Sequence, residues 1–431
     1  MFLKFNQYIT ESIKEAASEF LFEGGSFGHM AHPYDDVNLT FGEIKDMISD
    51  ALQGGLNKEA ISTEKLDGQA IAVSWKDGEL IASRNQGDRK NAGANSLSVQ
   101  GVIDKFAGRG DISDAFAFAI QDLSGAISKI NPKKRDEIFK NGQAFMHLEL
   151  IYPPTTNVIN YDSYKLIFHN TSTYDMDGVE IDQSKTAAGE LTKAIKDVNA
   201  DIQKTFQVDP PKAIEFAKNV NFEADRGEFF NELAKIQKKA KMNDNQSVRD
   251  YIRKEYSDLL YAKAGEYGFD LTDNMLDGLI QRFAYKDMAF SVRQMKREIT
   301  NKDFFNWLRD FEKKDAPNFY KKVIGPIETL FLKLGVRVIK LMTGLLALDP
   351  EGQIEAIKVE LDKAIKGVRA KGSEKEKSRL EAQLKKLEAI GGMDAVLPTE
   401  GIVFQYKGKT YKLTGGFAPI NQILGIFKYV K

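Results

Sequence analysis

Thr63-Glu64-Lys65-Leu66-Asp67-Gly68 is the string in this 431-residue chain whose residue types and spacing could do covalent chemistry. A lysine amine attacks phosphorus only when neutral, so it must sit where burial or nearby cations lower its pKa. Gly68 would let the backbone close on a ligand, and the Asp67 carboxylate could orient a sugar or pin a turn. Taken alone, the string also fits a β-turn carrying a solvated lysine. Four charged residues downstream extend the chemical reading: Arg84 in Ile81-Ala82-Ser83-Arg84-Asn85, Glu149 in His147-Leu148-Glu149-Leu150, Glu400 in Glu400-Gly401-Ile402-Val403 and Lys412 in Thr410-Tyr411-Lys412-Leu413. Cations such as Arg84 and Lys412 can neutralise a triphosphate, and Glu400 is enough to position a magnesium ion that keeps most of its waters. Glu149 can hold ribose hydroxyls or metal. Either carboxylate also fits a strand end facing solvent.

Most of these residues fall on segments with strand character. Ala70 to Trp75 and Glu79 to Arg84 flank Lys76-Asp77-Gly78, a hairpin signal, and Gly401 to Lys407 with Lys409 to Leu413 repeat the pattern around Lys407-Gly408. The periodicity divides the chain into a helical N-terminal segment (1–60), a first β-rich part (61–180), an all-α stretch (181–396) and a last β-rich part (397–431). Thr40 with Glu43 has capping-box spacing and opens a helix in the first segment.

In this order the strings resemble the motifs of the covalent nucleotidyltransferase superfamily, which contains ATP-dependent DNA ligases, RNA ligases and messenger-RNA capping enzymes. Lys65 to Gly68 resembles motif I, Arg84 motif Ia and Glu149 motif III. Phe168 in Lys165-Leu166-Ile167-Phe168 resembles the motif IIIa aromatic that stacks on the purine. Glu400 to Val403 is similar to motif IV and Lys412 to motif V. The resemblance covers residues 61–175 and 398–431. It implies an α+β fold: a ligase-type core of ATP-grasp-like antiparallel sheets, with a large all-α insertion and a helical N-terminal segment. Lys65 would be the nucleophile. Glu64, Asp67, Gly68, Arg84, Glu149, Phe168 and Lys412 would surround the nucleotide, and Glu400 would hold Mg2+, with Mn2+ as a substitute.

The implied activity is that of an ATP-dependent polynucleotide ligase: Lys65 takes AMP from ATP, passes it to the 5′-phosphate of RNA or DNA, and a 3′-hydroxyl seals the junction. Two alternatives stay open. One is a capping or protein-modifying nucleotidyltransferase, for which GTP in place of ATP would speak. The other is a catalytically silent ligase-like protein that binds nucleic acid or belongs to a virion. Motif V usually offers two lysines separated by one residue, whereas here Thr414 stands two positions after Lys412, leaving Lys409 or Lys428 as substitutes. About twenty residues follow Lys412, too few for the oligonucleotide-binding barrel of DNA ligases, which favours RNA or a structured nick. Compact ligases of this type are common in tailed phages, so a phage origin is expected.

Composition limits the rest. No cysteine is present, which removes disulfides, thiolate zinc sites and cysteine nucleophiles. No apolar run approaches the roughly 18 residues of a membrane span, and charges interrupt the first twenty residues where a signal peptide needs an apolar core. A cytoplasmic protein is expected, in the host cytoplasm if phage-encoded. With net charge −1, any nucleic-acid contact must come from a local patch. Arg293 to Lys322 interleaves Arg297, Lys302 and Arg309 with Phe304, Trp307 and Phe311, a mixture that could grip phosphates and stack bases, or form helices with a buried aromatic face. Gly28 to Asp36 places His29 and His32 beside Asp35 and Asp36, which fits a metal site, a loop or a cap over a nucleotide pocket.

Overall fold

In the computed structural model the described residues are 31–58, 62–155, 158–184, 186–198, 206–209, 213–347 and 349–430; His29 lies outside them. The fold is α+β. Helix α1 (Phe41–Leu52) starts at Thr40, whose hydroxyl accepts the Glu43 N–H at 3.1 Å while Glu43 Oε2 accepts the Thr40 N–H at 2.8 Å. This reciprocal cap satisfies two amides that a helix start leaves without partners.

The larger sheet joins β2 (Gln69–Lys76), β3 (Glu79–Ser83), β4 (Leu97–Ser98), β5 (Ala144–Ile151), β6 (Lys165–Tyr174) and β7 (Glu180–Ser184) in the order β4-β3-β2-β5-β6-β7. The strand β8 (Gln207–Asp209) runs parallel to the start of β6. A two-residue turn joins β2 to β3, with Asp77 and Gly78 both at positive φ, the twist-matched geometry that Asp-Gly favours. One sheet face is covered by α2 (Val99–Phe106), α3 (Asp111–Ser128) and α4 (Thr186–Val198), with Ile71, Val73, Met146, Leu148, Leu150 and Phe168 in the core between them. Strand alternation sends Glu149 and His147 to the opposite face.

The smaller sheet joins β1 (Thr63–Lys65), β11 (Gly401–Tyr406) and β12 (Lys409–Leu413), all antiparallel, in the order β1-β11-β12. Its hairpin turn again has two positive-φ residues, Lys407 and Gly408. The two sheets meet where Leu66, directly after β1, packs with Ile151 and Ile167 of the larger sheet.

Residues 181–396 are not purely helical. Besides the end of β7 and β8 they contain β9 (Glu215–Phe216) and β10 (Met342–Thr343), which pair with each other. Runs of two or three residues carry no readable alternation, so these strands are invisible to periodicity. Packing also crosses the expected borders. Phe41 and Ile44 of α1 share one core with the helical stretch, including α5 (Lys302–Lys314) and α6 (Ala316–Ile339), and with Ile402 and Phe404 of β11. A second shared core joins Leu361 of α7 (Pro350–Lys371) and Leu380 of α8 (Glu374–Ala389) to Ile420 and Ile423 of α9 (Phe417–Tyr429). Among the described residues no helix is long and apolar enough to cross a membrane.

Candidate active site

Lys65 pairs with Gly401 across β1 and β11, so Glu400, one residue before the strand, comes beside it. Gly401 is required there: a Cβ would come within 2.2 Å of the Leu413 carbonyl oxygen. The Lys65 amine donates to Glu400 Oε2 at 2.9 Å and to the Leu66 carbonyl at 3.1 Å, and lies 3.6 Å from Glu149 Oε1. The Gly68 N–H donates to that same Glu149 oxygen at 3.2 Å. A Cβ on Gly68 would meet Glu149 Cγ at 2.7 Å and the Leu150 oxygen at 2.6 Å, so the close approach of backbone to carboxylate depends on glycine.

The charges at Lys65 differ from expectation. Burial favours the neutral amine, but the carboxylates of Glu149 and Glu400 overturn that effect and hold the proton more tightly than on an ordinary lysine. The expected lowering fails because anions, not cations, stand nearest. Burial pushes the Glu400 carboxyl up to about 7, against the pull of Lys65. Glu149 stays below the usual carboxylate range: burial raises it, and Lys65 and His169 more than compensate. Lys412 is lowered by burial and by the charge of Lys65.

Lys412, Glu400, Thr414 and His32 line a cleft of about 320 Å³ closed by residues of α6, α8 and α9. Lys65, Glu149, Glu400 and Lys412 therefore form one neighbourhood. Other expected site residues lie elsewhere or do something different. Glu64 alternates to the opposite face of β1, where its Oε2 accepts the Leu346 N–H at 2.8 Å. Asp67 Oδ2 accepts the N–H groups of Val158 and Ile159 at 2.7 and 3.0 Å, while its own N–H donates to the Tyr161 hydroxyl at 3.0 Å; it clamps a loop. The Arg84 guanidinium lies over the rings of Phe106 and Phe116, 5.3 and 5.5 Å from their centroids, against the helical layer.

Phe168 is fully buried among the apolar residues of the larger sheet and presents no face to a base. The cause is a bulge in the β5–β6 pairing: His147 pairs with Asn170 and Leu148 with Phe168, leaving His169 as the extra residue. His169 Nε2 lies 3.5 Å from Glu149 Oε2, so histidine rather than phenylalanine adjoins the site. In the sequence His169 looks like any packing residue of a strand, and only the alternation after Phe168 points to it.

In the basic stretch, the aromatic rings serve the core: Trp307 stacks between Phe304 and Phe311 at 6.0 and 5.2 Å. Arg309 pairs with Glu312, which also holds Arg282. Arg297 is 75% exposed beside Glu298, and Lys302 is exposed at the start of α5. Among the described residues no group of three or more His, Cys, Asp or Glu side chains is arranged to hold a metal ion. No protein-family model, curated protein or solved structure matches the chain.

Proposed function

We propose that the chain is an ATP-dependent polynucleotide ligase whose first step charges Lys65 with AMP. The supporting observation is convergence: the Lys65 amine lies within 3.6 Å of the carboxylates of both Glu149 and Glu400 and beside the Lys412 cleft, although Lys65 and Glu400 are 335 residues apart in the chain. In the first step the deprotonated Lys65 nitrogen attacks the α-phosphorus. A P–N bond forms as the P–O bond to the β-phosphate breaks, and the proton displaced from nitrogen leaves with pyrophosphate. The 5′-phosphate of a strand then displaces Lys65 from AMP, and a 3′-hydroxyl displaces AMP from that end. Lys412 offsets phosphate charge during these displacements.

The donor set fits magnesium in the limited sense that this ion uses one or two carboxylates and takes its other ligands from phosphate and water. Glu400 and Glu149 are the carboxylates that would hold it, and its charge would loosen their grip on the Lys65 proton while neutralising phosphate oxygens.

The test is incubation of the full chain with magnesium and ATP, GTP or NAD labelled at the transferred phosphate. A phosphoramidate label stays on the denatured protein in alkali and is lost in acid. Labelling by ATP alone supports the ligase reading, and GTP labelling would favour a capping-type enzyme. A second reading, a silent nucleic-acid-binding relative, is favoured by the tightly held Lys65 proton and by the positions of Arg84 and Phe168. No label with any nucleotide, together with retarded oligonucleotides on a gel, would select it.

A further inference from the structure

The face of β12 that carries Lys412 carries Thr414 two residues on, where a second cation is missing. Lys409 does not fill the gap, because it turns to the other face and its amine donates to Asp36 Oδ2 at 2.7 Å. Lys428 is exposed in the last turn of α9. His32 comes instead. The segment before α1 runs along β12, with the Lys412 N–H donating to the Ala31 carbonyl at 3.0 Å and the Tyr411 hydroxyl donating to Asp36 at 2.7 Å. This brings His32 Nε2 to 3.4 Å from the Thr414 hydroxyl, on the wall of the cleft.

The ring is held by two neighbours. It is 17% exposed, stacks on Tyr34 at 4.5 Å with planes 12° apart, and its Nδ1 faces Asp35 Oδ2 at 3.1 Å. A carboxylate on Nδ1 fixes that nitrogen as a donor and directs Nε2 into the cleft. The other charges of the cleft are largely satisfied: Lys386 donates to Glu328 at 2.7 Å and Glu400 accepts from Lys65. Lys412 makes no ion pair among the described residues. The first turn of α9 adds Phe417, Ala418 and Pro419 to the wall, so the positive end of that helix reinforces Lys412. Burial, with the charge of Lys412, holds the His32 imidazole below its usual range, so its Nε2 gains the proton it donates when an anion enters the cleft.

We propose that His32 is the second phosphate contact of this cleft and, with Lys412, binds the diphosphate tail of a nucleoside triphosphate through Nε2. The identity of the tail rests on the lysyl-nucleotide reading; the anion contact does not.

The experiment is calorimetric titration of the full chain with inorganic pyrophosphate and magnesium. H32N keeps a polar group near Asp35 and removes the Nε2 donor, so affinity should fall about tenfold or more, the loss expected for a charge-assisted hydrogen bond. H32Q returns an amide nitrogen near the Nε2 position and should stay within about threefold of the parent. If H32N loses its fold, H32F, which keeps a ring on Tyr34 and lacks both nitrogens, should show the same loss. Pyrophosphate bound equally by parent and H32N, or lost equally by H32N and H32Q, overturns the assignment. A parent that binds pyrophosphate through His32 yet takes no nucleotide label supports the contact and removes the ligase reading. Labelling in a parent whose pyrophosphate affinity ignores His32 does the reverse.

Discussion

The Lys65 amine donates to Glu400 Oε2 at 2.9 Å, so the expected nucleophile rests as one half of an ion pair. Lys65→Arg preserves a cation for Glu400 and Glu149 but cannot present a neutral nitrogen near neutral pH. Self-labelling by ATP should fall below detection while the thermal midpoint stays close to the parent's. Lys65→Ala should lose labelling too and also lose about 1–3 kcal/mol of stability, because two poorly solvated carboxylates remain without their cation. Label persisting on the arginine variant and mapped by mass spectrometry to another residue would remove Lys65 from the chemistry.

Glu400 gives the site a pH signature. Its pKa rises from an ordinary 4.5 to about 7 in the folded protein, so the folded state binds a proton that the unfolded state has released. The contribution of this group to stability is therefore greatest below about 4.5 and declines as pH rises towards 7. His147, lowered to about 3 by burial, acts with the opposite sign below its ordinary 6.5, so the parent curve alone mixes the two. Thermal melts of parent and Glu400→Gln between those pH limits separate them. The parent should lose stability relative to the variant as pH rises, and parallel curves would show that Glu400 titrates normally.

Asp67 should behave as a loop clamp. Asp67→Ala strands the buried amides of Val158 and Ile159, at a cost of about 2–4 kcal/mol for two unsatisfied donors. Asp67→Asn keeps an acceptor oxygen and should cost about 1 kcal/mol. Urea denaturation measures both. An alanine variant as stable as the parent, with weakened nucleotide binding, would return Asp67 to direct ligand contact.

Phe168 and His169 should separate stability from binding. Phe168→Leu trims a filled core position, costs about 1 kcal/mol or slightly more, and should leave ATP affinity unchanged. His169→Ala removes the imidazole beside Glu149 and should weaken ATP binding several-fold with little change in unfolding. ATP titrations that respond to Phe168→Leu but not to His169→Ala would reverse the assignment of the two faces.

What could be read in advance follows the range of the forces involved. The Asp77-Gly78 and Lys407-Gly408 turns and the Thr40 cap are local, because a few adjacent residues decide their backbone angles and hydrogen bonds. Lys65 stood out by its local string, Glu149 and Glu400 only through the resemblance to ligase motifs, and the fold brings the three together. Which way Glu64 or Phe168 faces depends on strand register, and one bulge after His147 is enough to exchange Phe168 for His169. The sign of the charges around Lys65 depends on contacts between distant segments, which no local pattern contains. For His32 the string from Gly28 to Asp36 left a metal site, a loop and a pocket cap open, and its neighbour Thr414, 382 residues away, shows in no local pattern.

The pairing of β1 with β11 also sets a schedule. Lys65 and Glu400 are 335 residues apart, so at about 5–20 residues per second the lysine leaves the ribosome roughly 20–70 s before the carboxylate. During that interval β2 and β5 can already form their sheet, since both lie before residue 152. β1 still lacks its antiparallel neighbour, and Lys65 its ion pair with Glu400. Any reaction that needs both groups is therefore confined to chains synthesised past β11, and a ribosome stalled before that strand holds Lys65 without Glu400 beside it.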